Sequence, residues 1–169
     1  MESIYFYESY HLNPINKLIH FIFIPIIMIT TMNFASLVRC RLNISLTENF
    51  CHFRQIDIDI TGEKILYLFY LFYYFTYSRK IGMIMSIFLN LIYLGSFFHR
   101  AYGSIYYFGA PIWQTNSAIL FTFAWIMQFI GHAIEGSRPA LFTGFKQTLL
   151  QSPLFVIEYV YPHLLDEIY

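Results

Sequence analysis

Long apolar runs separated by short polar breaks organise this chain. From Leu18 to Val38 nearly every position is apolar, the exceptions being His20, Asn33 and a few hydroxyls. That length fits one membrane-crossing helix of about 20 residues. Asn13-Pro14 predicts its start: Asn caps the first turn, and Pro at the first helical position gives up an N–H with no partner there. Pro25 predicts a kink, and Arg39 and Arg41 end the run. Residues 40–62 are the most polar stretch and read as a loop with at most short structure, closed by Gly62. The run from Glu63 to Tyr77 is apolar but short; as a helix it reaches about 22 Å of a core roughly 30 Å thick. "SRK" breaks it, and a fuller run from Ile81 to Phe98 ends in His99-Arg100. The pattern over 63–98 predicts a tight helical hairpin, with one span plus a re-entrant piece as the alternative. Residues 101–116 carry Gly, Pro, Gln and Asn and read as a loop. Ser117 to Ile134 is the fourth span, stopped by "GSRP". Residues 140–161 are interrupted by Lys146, Gln147, Gln151, Pro153 and Glu158, which predicts a pair of interfacial helices instead of a fifth span.

The expected architecture is an all-α integral membrane protein. It is a single polytopic domain over residues 1–169, with about four transmembrane helices plus C-terminal interfacial helices. Composition supports that class. Hydrophobic residues make up 57% and charged residues 12%, half the share of about 25% that covers a soluble domain. Net charge is zero, which gives no reason to expect a nucleic-acid partner. The 21% aromatic content suits interfacial belts. With four spans, Lys17, Arg79, Lys80, Arg138 and Lys146 lie on one side, and Arg39, Arg41, Arg54, Lys64 and Arg100 on the other. That even division gives no orientation by basic residues. Cys40 and Cys51 lack metal or redox spacing and read as unpaired small residues. The opening "MESIYFYESY" has no signal-peptide pattern, and the closing "LLDEIY" is no retention or prenylation motif.

The informative polar residues sit where apolar runs begin and end. Asn16 and His20 are four apart and share a helix face; Gln128, His132 and Glu135, spaced by four and three, share another. With four spans the start of the first and the end of the fourth lie at one depth on one side of the bilayer, and His11 lies just before the capped start. The same topology sends His99 and His52 to the opposite side, and His163 follows Pro162 with no helical partner. Ionisable groups one turn inside a membrane usually mark function. Spacing alone leaves a metal or proton-transfer site and a structural hydrogen-bond network both open. Histidine and carboxylate with few thiolates suit Fe(II), Zn or Mn over Cu(I) or iron–sulfur.

The stretches "YHLNPINKLIHFIFIPII" and "WIMQFIGHAIEGSRPALF" resemble the 2-hydroxy fatty acid dioxygenase family of small endoplasmic-reticulum membrane proteins. The matching positions are His11, Asn13, Pro14, Asn16 and His20 near the start, then Gln128, Phe129, Gly131, His132, Glu135, Arg138, Pro139 and Ala140. "SPLFVIE", Ser152 to Glu158, is similar to the family's closing segment. The resemblance spans nearly the whole chain, although 40–116 carries little of it. Many relatives place the Glu four residues after the His, whereas Glu135 follows His132 by three; this leaves open whether Glu135 or Glu158 is a metal ligand.

The resemblance implies an Fe(II)-dependent enzyme of the endoplasmic-reticulum membrane. It would perform α-oxidation, converting a 2-hydroxy fatty acid and O2 into the acid one carbon shorter, within sphingoid-base (phytosphingosine) degradation. His11, His20 and His132 would hold Fe(II). Asn16, Gln128 and Glu135 would orient imidazoles or receive the hydroxyl proton. The acyl tail would lie among the spans. Arg138 would attract the carboxylate, or simply snorkel at the membrane surface. The termini would be cytosolic and the 40–62 loop lumenal, with a sequon at Asn43-Ile44-Ser45. The alternative is a non-enzymatic scaffold or lipid-binding protein with a structural polar network; a Zn hydrolase ranks below both.

Overall fold

A computed structural model describes residues 12–47, 53–104, 106–107, 110–136 and 145–162. In chain order the elements are α1 (Pro14–Ala35), β1 (Arg39–Thr47), β2 (Phe53–Thr61), α2 (Gly62–Tyr77), α3 (Arg79–Tyr102), β3 (Tyr106–Tyr107), β4 (Ala110–Pro111), α4 (Ile112–Glu135) and α5 (Phe145–Val160). Three helices, α1, α3 and α4, are long and apolar enough to cross a membrane. Helix α2, with 16 residues, is shorter, at about 24 Å. The chain reads as a multi-pass membrane protein.

Helix α1 starts as the sequence predicts. Asn13 is extended, its Oδ1 accepts from the Ile15 N–H at 2.9 Å, and Pro14 opens the helix. The 63–98 hairpin is equally plain. Only Ser78 separates α2 from α3; its backbone is extended and its Oγ accepts from the Ile81 N–H at 3.1 Å. The turn closes tightly because Gly82 has no side chain: a Cβ there would run into the Phe75 ring.

Helix α1 is the centre of the bundle and touches the other four helices, most extensively α4. The core combines Ile24, Met28 and Met32 of α1 with Tyr74 of α2. It continues through Ile81, Met85, Leu89 and Ile92 of α3 to Leu154, Phe155 and Val156 of α5. The α3 positions recur at four, four and three, one stripe of a helix. Outward faces stay apolar: Phe72, Ile87, Leu91 and Ile119 are exposed, whereas Asn16, His20, Asn33, Ser96, Gln128 and His132 are buried. Apolar surface outside and polar side chains inside is the distribution a lipid solvent selects.

The fold departs from the expected class in three places. The polar 40–62 stretch is an antiparallel hairpin, with Arg39 opposite Thr61 and Thr47 opposite Phe53, so the chain is mostly helical and not all-α. Its alternation, "RLNISL" and "FRQIDIDI", has the strand period of two, and Arg41 faces Asp59 across the ladder, a favourable cross-strand pairing. Helix α4 begins at Ile112, five residues before the expected Ser117. Where a pair of interfacial helices was expected, the described C-terminal residues form one helix, α5, and its Leu154, Phe155 and Val156 enter the core.

Pro153 explains how α5 seats there. A proline has no N–H for the carbonyl four residues back, so the Leu149 carbonyl loses its helical donor. The Tyr70 hydroxyl donates to it at 3.1 Å, and the Tyr74 hydroxyl to the Leu150 carbonyl at 2.8 Å. The proline turn thus becomes the contact that ties α5 to α2.

Candidate active site

Helices α1 and α4 run antiparallel, which brings the beginning of one beside the end of the other. His20 and His132 meet there edge to face, with ring centroids 4.9 Å apart and planes at 84°. Both are buried. The Asn16 carbonyl lies 3.0 Å from His20 Nδ1. A carbonyl only accepts, so Nδ1 carries the proton and Nε2 keeps the ring's lone pair. The Phe155 ring of α5 packs edge-on to His20 at 6.2 Å.

Glu135, in the last turn of α4, reaches across to the start of α1. Its Oε1 accepts from the Leu12 N–H at 2.8 Å, its Oε2 from the Asn13 N–H at 2.9 Å and from Asn16 Nδ2 at 3.1 Å. A carboxylate here satisfies N–H groups that a helix start leaves without partners, and it complements the positive end of the helix dipole. The close approach depends on Gly131, one residue before His132: a Cβ at that position would collide with Asn16 Oδ1.

Below the imidazole pair lies a cavity of about 100 Å³. His20, His132 and Gln128 stand at its polar head, and its walls are mostly apolar, among them Ile24, Met28 and Trp125. From His20 the cavity follows α1 down to Met32, twelve residues on, or about 18 Å.

The far end of α1 carries a separate polar cluster. Asn33 Nδ2 donates to Ser117 Oγ at 3.0 Å and lies 3.0 Å from His99 Nδ1, and Asn33 Oδ1 accepts from Ser96 Oγ at 2.8 Å. Arg100 joins through Asn33 Oδ1 at 3.2 Å and pairs with Glu63 at 2.5 Å. His99 therefore sits with Asn33, about 20 Å along α1 from His20, on the side away from the imidazole pair.

Of the residues singled out by sequence, Asn16, His20, Gln128, His132 and Glu135 are brought together. Glu158 lies half-buried in α5, and Cys40 is a free, exposed thiol. His11, Cys51, His52, Arg138 and His163 lie outside the described residues. Sequence reasoning missed the role of Gly131, for which a lone helical glycine beside the motif histidine was the available signal. It also missed Tyr70, Trp125 and Phe155, which carried no signal among so many aromatics.

The donors can be weighed against a metal ion. Among the described residues no group of three His, Cys, Asp or Glu side chains converges; two imidazoles do. Beside them Asn16 Oδ1 and Gln128 Nε2 are buried without hydrogen-bond partners among the described residues, a costly state unless further groups complete the site. Two imidazoles without thiolate fit a divalent ion whose remaining positions go to other ligands.

Comparison with known proteins gives two matches. The family model described as "2-hydroxy-palmitic acid dioxygenase Mpo1-like" matches residues 1–164. A Saccharomyces cerevisiae protein, "2-hydroxy-palmitic acid dioxygenase MPO1", is 31% identical over 153 residues, covering 90% of this chain and 74% of the yeast protein. No solved structure matches.

Proposed function

The chain belongs to the Mpo1-like 2-hydroxy-palmitic acid dioxygenase family, and on that premise we propose that it is an Fe(II)-dependent dioxygenase of the endoplasmic-reticulum membrane that shortens 2-hydroxy fatty acids by one carbon. One acid and one O2 give the shorter acid, CO2 and water, which balances every atom. The reaction would serve sphingoid-base degradation. The observation that carries this reading is the pairing of His20 and His132 at 4.9 Å at the head of an apolar cavity.

His20 and His132 would hold the ion, with His11 as the third donor. Bound there, Fe(II) supplies the reactivity toward O2 that a closed-shell ion such as Zn lacks. The chain's own residues do the rest. The Asn16 carbonyl holds the Nδ1–H tautomer of His20, so that Nε2 is the donor nitrogen. Gln128 Nε2, a buried donor at the cavity head, receives the substrate's carboxylate or hydroxyl oxygen. Glu135 fixes the start of α1, and through it Asn16 and His20. The apolar walls take the acyl tail and exclude water, at about 0.8 kcal/mol per buried methylene. For the membrane topology, α2 would complete a fourth crossing, leaving both termini cytosolic and the hairpin lumenal.

Incubating purified protein with a 2-hydroxy fatty acid and Fe(II) under air tests the reading. The odd-chain acid one carbon shorter is the expected product. Absence of product with protein that retains stoichiometric iron would return the cluster to a structural role.

A further inference from the structure

The cavity has a far end as well as a polar head. Of the α1 residues that line it, Met32 lies furthest along the helix from His20; Leu66, in the first turns of α2, lines it as well, and Met32 is 1% exposed. Behind them stands the far polar cluster. Asn33 follows Met32 in the chain, and Glu63 lies three residues before Leu66 on the same helical face. Asn33 and Glu63 are both tied to Arg100. An acyl chain pushed past Met32 would have to open this buried ion pair and its hydrogen bonds, and breaking a buried pair is strongly unfavourable. Side-chain motion at Met32 can relieve a small overlap; the knot behind it cannot yield in the same way.

We propose that Met32 and Leu66, backed by the Asn33–Glu63–Arg100 knot, form the floor that sets the longest acyl chain the site accepts. The proposal rests on the tail-in-cavity reading above. Chain length is measured from the imidazole pair, where the head group is held, to this floor. An acid that stops short leaves the lower cavity unfilled, and one that is too long meets Met32. Discrimination of about 10-fold or more per mismatched methylene is the scale expected of a fitted apolar pocket.

Trp125 gives a readout that does not need turnover. It lines the cavity about 10 Å along α4 from His132, and the chain's only other tryptophan is Trp113. In a Trp113→Phe background, quenching of Trp125 by saturated 2-hydroxy acids brominated at mid-chain reports tail occupancy directly. A homologous series is titrated into the parent, Met32→Ala and Leu66→Phe, and the same series, unbrominated, is assayed for turnover. The expected result is that Met32→Ala shifts the best-bound length upward and Leu66→Phe shifts it downward. Each should change the ratio between neighbouring lengths by about 10-fold. Because one variant removes volume and the other adds it, poor accumulation of either leaves the other to decide. Length profiles of the variants that overlay the parent's would overturn the floor. Shifted binding profiles without turnover by the parent would keep the floor and reject the enzymatic reading; turnover with unshifted profiles would do the reverse.

Discussion

The carboxylate of Glu135 accepts both from the Asn13 backbone N–H, at 2.9 Å, and from the Asn16 amide, at 3.1 Å, so the last turn of α4 holds the first turn of α1. This relationship gives Glu135 a positioning role and ties the two motif stretches into one unit. His20 is one turn below Asn16 and His132 one turn below Glu135, both toward the cavity, and the clamp sets their separation.

Glu135→Gln keeps an acceptor oxygen but loses the charge at the helix start. Thermal unfolding in detergent should show a loss of about 1 kcal/mol, with turnover reduced and iron retained. Glu135→Ala should lose about 2 kcal/mol, the upper range for a missing cap, and more of its activity. A Glu135→Gln protein with parental stability and iron but no turnover would identify the carboxylate as a proton acceptor in the reaction.

Gly131→Ala tests the close approach of α1 and α4. Its Cβ would meet Asn16 Oδ1, and Asn16 is fully buried and held by Glu135. Overpacking of this kind costs about 1–3 kcal/mol. Lowered unfolding temperature with weakened iron retention is expected; a protein as stable and active as the parent would show that the helices do not meet as described.

The tyrosine clasp on α5 makes a coupled prediction. Tyr70→Phe should cost about 1 kcal/mol in the parent, because the Leu149 carbonyl has no helical donor opposite Pro153. In a Pro153→Ala background that donor returns, and the same change should cost little. A double-mutant cycle measures the coupling; additive effects would mean that Tyr70 does not replace the bond Pro153 removes.

Much of this was legible in the sequence. The Asn13-Pro14 start, the long apolar first helix, the 63–98 hairpin and the last span follow from cap chemistry and run length. The shared level of Asn16, His20, Gln128, His132 and Glu135 follows from helical spacing once the start of α1 lies beside the end of α4. The hairpin over 39–61 was hidden because polar composition outweighed its alternation. The burial of α5 was hidden because Gln151 and Pro153 look like solvent-facing interruptions until the Tyr70 hydroxyl is seen to meet the Leu149 carbonyl that Pro153 frees and the Tyr74 hydroxyl the Leu150 carbonyl beside it. The clamp role of Glu135 was not readable, because it depends on which backbone N–H groups lie across the interface.

The far cluster supplies the control for the central claim. His99 is hydrogen-bonded in a cluster about 20 Å from His20 along α1, so His99→Ala should cost stability and leave turnover per folded protein largely intact. The deciding measurement is formation of the shortened acid from a 2-hydroxy fatty acid, with Fe(II) under air, by equal amounts of folded His20→Ala, His132→Ala and His99→Ala protein. The account predicts no product from the first two and near-parental product from the third. Undiminished product from either His20→Ala or His132→Ala would contradict it.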